Sequence, residues 1–375
     1  MSIFAVAALA AVASASEFLQ VEQAQYSSIT VDLVPDTNTQ KWEFDAILCG
    51  TDKAATWPDF EFELNTSRSY VKETDVAAIP CTGYTITDAT SAKKDNGWMG
   101  KEATAQICIL SACTGTDFAM VQVDSTETAA YNILGFGPEL DDHKSFIVEM
   151  YKANEDAFSA TFSLGKKSDG TLSLQLSGDN PNLYKALGQN DLAPSKIKKI
   201  AAATTYQLPI VGVSYDGTDV TITNPIVELS DSDGSTFTIP AADFTAIATA
   251  LGYDADGSST VPCDDATLKN MEFRLGNAED PVTLVYPPAV WHTAGNPTAN
   301  CKFAFNKGDA SVTTWQLGRE FYKNFYTQFY PSKTDTAVVF RVGANAPTGV
   351  NVIQALNASA LAVASAAVLA TSLLF

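Results

Sequence analysis

The stretch "FELNTSRSYV", residues 62–71, reads as an apolar strand running into a Thr-Ser turn, with one polar residue, Asn65, delivered at the strand end. A carboxylate there would make chemical sense; an amide cannot ionise. Downstream, "VELSDSDGSTFTIP" (227–240) repeats the shape with Asp231 at the corresponding place. Each turn is followed, much later, by an apolar-Leu-Gly unit: Ile133-Leu134-Gly135 within "YNILGFGP" and Gln316-Leu317-Gly318 within "WQLGREFYKNFY". A repeated lobe with one polar turn each brings the two turns together across a cleft.

The bulk numbers are compatible with two lobes. The chain has 375 residues, 46% hydrophobic and 18% charged, enough for two cores. Its formal net charge of −20 argues against nucleic acid, which is bound by clustered Lys and Arg. Between the ends, "ITVDLV", "KWEFDAIL", "FEFEL", "ATAQICIL", "FSATFSLG", "TLSLQLSG", "YQLPIVGVSYDG" and "TAVVFRVG" read as strands, so an all-β class is expected. Helical patterns are confined to 145–153, 241–252 and 318–326, with Gly252 as a helix stop. The polar segment 177–196 is the expected joint between lobes.

Both ends read as processing signals. "MSIFAVAALAAVASAS" carries a short apolar stretch and a small-x-small site, Ala13-Ser14-Ala15, which predicts a signal peptide over 1–15 and entry into the secretory pathway. The apolar C-terminal tail, with small residues at 357–359 and no basic stop, predicts a lipid-anchor signal within 347–375. Asn357 is the preferred attachment residue, with Gly349 and Asn351 as alternatives. The protein is then extracellular or at the cell surface. Cys49, Cys81, Cys108, Cys113, Cys263 and Cys301 are expected in disulfides, four in the first half and two in the second, with bridges kept within lobes. The pairing among the first four stays open. No zinc-type spacing is present, His143 and His292 are assigned no chemistry, and no metal or other cofactor is expected. "DSDGS" and "DADGS" fail as EF-hand loops, because Leu229 or Gly252 would stand first and Pro240 or Cys263 twelfth.

In their order, these motifs resemble the pepsin family of aspartic proteases across roughly residues 27–344. "ILCGTDKAATWPDFEFELNTS" is similar to the family's approach to its first Asp-Thr-Gly, and "AFSATFSLGKKSDGTLSLQLSG" to the hairpin ending the first lobe. "VELSDSDGSTFTIPAADFTAIATAL" resembles the second Asp-Ser/Thr-Gly turn with its helix, and "WQLGREFYKNFYTQFYPSKTDTAVVFRVGA" the closing segment. The resemblance implies a bilobal pepsin-like fold with a few short helices, an N-terminal lobe over 16–185, a C-terminal lobe over 186–346 and a Cys263–Cys301 disulfide.

That family uses two Asp carboxylates, one per lobe, sharing a proton so that one polarises a water for attack on a peptide carbonyl. By the resemblance, Asn65 stands at the first Asp, Thr66 keeps the Thr and Ser67 replaces Gly; Asp231 stands at the second Asp, Ser232 follows it and Asp233 replaces Gly. An amide can orient a water but cannot take its proton. The flap Tyr is also missing: "SAKKDNGWMGKEATAQIC" (91–108) offers Lys93, Lys94 and Trp98. Asn65 also heads an N-glycosylation sequon, Asn-Thr-Ser, expected to be a poor acceptor inside a cleft. Trp315, Phe321, Tyr322, Phe325 and Tyr326 are expected in the core. The expectation is a monomeric surface homologue with an impaired dyad and a cleft that binds a peptide or protein. Two alternatives are an active aspartic endopeptidase working at acidic pH and a surface structural protein.

Overall fold

A computed structural model describes residues 28–35, 41–48, 57–78, 83–94, 96–140, 144–177, 197–198, 205–230, 237–257, 261–262, 268–294, 300–331, 336–343 and 345–354. The segments 1–15 and 231–233, the boundary at 185/186, and Cys49, Cys81, His143, Cys263 and Asn357 lie outside these residues.

Strands form where apolar residues alternate. In Trp42–Leu48 the inward set is Trp42, Phe44, Ala46 and Leu48, and Asp45 points out. Phe162–Lys166 and Leu172–Leu176 are buried along almost their whole length, because a further layer covers each face. They belong to a sheet that joins the two halves of the chain: Ile29–Pro35 pairs with Leu172–Leu176, that strand with Phe162–Lys166, and Phe162–Lys166 with Phe325–Pro331 near the C-terminus. At the crossing, the Phe162 and Phe329 rings stack with centroids 4.7 Å apart.

The inferred duplication is present in the sheet pairing. In the first half Trp57–Glu63 runs parallel to Asn132–Gly135, which is antiparallel to Tyr70–Lys72. In the second half Ile226–Leu229 runs parallel to Trp315–Leu317, which is antiparallel to Phe237–Ile239. Each trio therefore places the strand that carries its Leu-Gly pair between the strand that enters a polar turn and the strand that leaves it. The fold is the mostly-β, pepsin-like one that the motif order implies.

The elements follow the sequence pattern with two informative departures. "ATAQICIL" is not one strand: Met99–Thr104 pairs with Ala119–Val123, while Ile107–Ile109 turns to Trp42–Leu48 and closes a tight hairpin stapled by Cys108–Cys113. The chain changes partner there, which alternation cannot reveal. Glu73–Ala78 is helical although no residue in it is buried, so it lacks the apolar stripe that would have marked it. The helices Phe146–Ala153, Ala241–Ala250 and Arg319–Asn324 lie where expected, and Gly252 ends the second with φ +85°. Trp315, Phe321, Tyr322, Phe325 and Tyr326 are each at most 1% exposed. Among the described residues no helix is long and apolar enough to cross a membrane.

One buried carboxylate organises the second half. Asp243, 1% exposed, accepts hydrogen bonds from Thr223 N (2.6 Å) and Oγ1 (2.8 Å), Asn224 N (3.0 Å) and Nδ2 (3.2 Å), and Trp315 Nε1 (2.9 Å). It thereby ties the helix Ala241–Ala250 to the loop before Ile226–Leu229 and to the strand Trp315–Leu317. Burial alone would raise its pKa; the donors from Thr223, Trp315 and Asn224 outweigh burial and hold it below the usual carboxylate range. A lowered folded pKa stabilises above the unfolded value of about 3.9, and that stability is lost as pH falls through the lower folded value. We expect Asp243→Ala to cost about 3 kcal/mol or more at pH 7, since it strands buried donors. Denaturant midpoints at pH 7 and pH 3 check this: the deficit relative to wild type should shrink at the lower pH.

Candidate active site

The first polar turn, residues 64–69, rests on main chain. Phe136 N donates to Glu63 O (2.9 Å), Gly137 N to Thr66 O (2.7 Å) and Gly135 N to Ser69 Oγ (3.1 Å). Approach this close requires glycine: a Cβ on Gly135 would lie 2.5 Å from Ser67 C, and one on Gly137 2.5 Å from Thr66 C. Thr66 Oγ1 accepts from Arg68 N (3.0 Å), a local turn closure. Ser67, where the sequence expectation places a family glycine, is 1% exposed, and its Oγ is buried with no hydrogen-bond partner among the described residues.

Asn65 faces the other half of the chain. Its Nδ2 donates to Ser230 Oγ at 3.3 Å, and its Oδ1 is buried with no hydrogen-bond partner among the described residues. Ser230 is itself fixed, its N donating to Leu317 O (3.0 Å) and its O accepting from Tyr322 Oη (3.1 Å). It is the residue just before Asp231. The structure thus brings Asn65, with Thr66 and Ser67 beside it in the turn, into contact with Ser230. Asp231, Ser232 and Asp233 themselves lie outside the described residues, as does Cys263, so the implied bridge to Cys301 does too. A further tie between the halves is the buried Tyr206 Oη donating to Phe136 O at 3.0 Å.

A cavity of about 480 Å³ opens beside Asn65, walled by Glu63, Tyr70, Trp98 and Tyr131 among others. Asn96 and Trp98, in the connection of the hairpin of Thr85–Lys93 and Met99–Thr104, line it too. Trp98, in the connection, sets its ring edge-on to Tyr70 (centroids 6.0 Å, 86°) and Tyr131 (5.0 Å, 90°). Of the lysines flagged in this hairpin, Lys94 pairs with Glu102 and Lys93 is exposed.

Glu63, Tyr70, Tyr131 and Lys41 were missed by sequence reasoning, although a signal existed. Residues two apart on a strand share a face, so Glu61, Glu63 and Asn65 form one row. Lys41 Nζ lies 3.0 Å from both Glu61 and Glu63, donates to Tyr131 Oη at 2.5 Å and sits 4.4 Å from that ring's centroid. Glu61 is 1% exposed; burial, aided by Glu63 and Glu43 and opposed by Lys41, pushes its pKa up to about 7. Burial works against the Lys41 ammonium, yet Glu63, Tyr131 and Glu61 together hold its pKa above the usual value. From the second half, Glu228 is also raised, first by burial and then by the charge of Glu63. Among the described residues no His, Cys, Asp and Glu cluster is arranged to hold a metal ion.

Chemically, the described part of the site offers an amide, two hydroxyls and a buried acidic row, and an amide at position 65 can hold a water or a peptide group without accepting a proton. The Glu61 shift has a stability consequence. A folded pKa above the unfolded value of about 4.3 means ionising Glu61 costs the folded state, so stability falls as pH rises from about 4.3 through about 7, by about 3 kcal/mol for this group. Glu61→Gln should flatten that decline, as read from denaturant midpoints between pH 4 and pH 8.

A family model described as eukaryotic aspartyl protease matches residues 112–338, more than half of the chain. The matched range contains position 231 and begins after Asn65. No curated protein matches the chain. With the duplicated strand trios and the Asn65–Ser230 hydrogen bond between the two halves, this match establishes that the chain belongs to the eukaryotic aspartyl protease family.

Proposed function

We propose that this protein is a pepsin-family homologue whose dyad is impaired and whose cleft binds an extended peptide or protein segment without cleaving it. The observation that carries this is Asn65: the first-Asp position holds an amide, hydrogen-bonded to Ser230 Oγ, beside a cavity that the fold keeps open. A dyad works because two carboxylates share one proton; with an amide in one place, Asp231 has no partner to share it with. The loss of the flap tyrosine to Trp98 and of the turn glycine to Ser67 points the same way. An extended peptide in such a cleft is held by main-chain hydrogen bonds, with alternate side chains entering pockets. The terminal signals place this activity, in our reading, on a secreted monomer held at the cell surface by a lipid anchor near Asn357.

The test is peptide hydrolysis by the purified protein, read by mass spectrometry from about pH 3 to 7 beside an Asp231→Ala control. Folded protein should leave the peptides intact; cleavage abolished by Asp231→Ala would overturn the reading and make the chain an endopeptidase. Conversely, the double substitution Asn65→Asp with Ser67→Gly restores the missing acid and should raise acid-range hydrolysis at least about 100-fold above the wild-type background, the scale of a general acid-base group.

A further inference from the structure

The cavity beside Asn65 has an unusual lining for a cleft that meets peptides, and the chemistry of that lining is specific. Its aromatic wall is a corner: Trp98 stands at 90° to Tyr131 and at 86° to Tyr70, with centroids 5.0 and 6.0 Å apart. Besides Thr66 and Asn96, its polar lining includes three groups able to accept a hydrogen bond. Glu63, 8% exposed, contributes a carboxylate, and Asn65 Oδ1 is a buried acceptor without a partner among the described residues. Ser67 Oγ, also lining the cavity, is a hydroxyl in the same condition. The amide donor of Asn65 is already directed at Ser230.

We propose that this cavity is a cation pocket that takes the ammonium or guanidinium end of a basic side chain on the bound peptide. The proposal rests on the reading of the cleft as a peptide site and specifies its ligand. An ammonium brings three donors and a guanidinium five, which is what unpartnered acceptors require. Aromatic faces attract a cation further through their quadrupole. The protein already uses Tyr131 in this way, because Lys41 lies 4.4 Å from its ring centroid while standing outside the cavity lining. Lys41 is shared between Glu61 and Glu63, and of these two acids Glu63 is the one that lines the cavity. An apolar side chain of similar length would fill the same volume but would strip water from the Glu63 carboxylate without replacing a hydrogen bond. That penalty decides between the two classes.

Two extended peptides differing only by lysine or norleucine at the central position, together with the corresponding N-acetyl amino acid methylamides, provide the test at neutral pH. Binding is measured by calorimetry for the peptides and by saturation-transfer NMR for the amides, with wild type, Trp98→Ala and Glu63→Gln. The lysine peptide should bind about tenfold tighter than the norleucine peptide, and both substitutions should bring that ratio close to one. Equal binding of the two peptides, or tighter binding of norleucine, overturns the cation pocket and leaves the peptide cleft standing. If neither peptide binds while the lysine amide does so in a Trp98-dependent way, the pocket stands and the peptide cleft falls. No binding by any probe overturns both. Glu63 also pairs with Lys41, so should Glu63→Gln fail to fold, Trp98→Ala on the half-buried hairpin connection decides alone.

Discussion

The close contact between the Gly135–Gly137 main chain and the Thr66–Ser67 main chain is the constraint on which the rest of the site depends. Two missing Cβ atoms let the strand Asn132–Gly135 slide against the turn, and the hydrogen bonds from Phe136 N and Gly137 N then fix where Asn65 points. The parallel pairing of Phe62 with Leu134 sets the register of that contact, so the position of one side chain is inherited from a sheet. In the second half Leu229 pairs with Leu317 in the same way, and Ser230 N closes on Leu317 O. Two such supports, facing each other, make the Asn65 to Ser230 hydrogen bond a product of duplicated packing, with no special local chemistry at the turn.

The buried charges complement this scaffold in opposite senses. Asp243 is over-supplied with donors and favours its ionised form, so it supports the fold only while deprotonated. Glu61 is buried in a row with too many carboxylates for one lysine and favours its protonated form. The first group penalises strong acid, and the second penalises a rise in pH from about 4.3 through about 7. These two groups taken alone favour mildly acidic conditions, which the net charge of −20 neither requires nor explains.

Much of this was legible in the chain because it is written in periodicity and in order. The strand Trp42–Leu48 and the helix Phe146–Ala153 show their buried faces directly in sequence, and the paired apolar-Leu-Gly units exposed the duplication before any pairing was known. What stayed hidden depends on partners far away in sequence. Nothing local says that Ile107 leaves the strand line of Met99–Thr104 to join Trp42–Leu48, or that Lys41 reaches Glu61 and Glu63 and contacts Tyr131 some 90 positions on. The Glu61-Glu63-Asn65 row was readable as a shared face, yet its burial was not, since alternation assigns a charged face to solvent by default. Asp243 was hidden for the same reason: an acid in a helix's first turn normally faces water and the helix dipole, whereas here five donors from elsewhere enclose it.

The interactions that hold the turn at 64–69 do not depend on whether position 65 carries an amide or an acid. Apart from the Asn65 amide on Ser230, the contacts named for that turn are made by peptide groups or by a Ser or Thr hydroxyl: Gly137 N to Thr66 O, Gly135 N to Ser69 Oγ, Arg68 N to Thr66 Oγ1. None uses a carboxylate at position 65. Asn and Asp have nearly the same shape, and the amide adds a donor that finds Ser230 Oγ. Exchanging one for the other therefore changes the proton chemistry at the cleft while leaving its walls, its register and its cavity in place. The geometry of this turn is fixed by main chain and packing, whereas its proton chemistry depends on the side chain at position 65 alone.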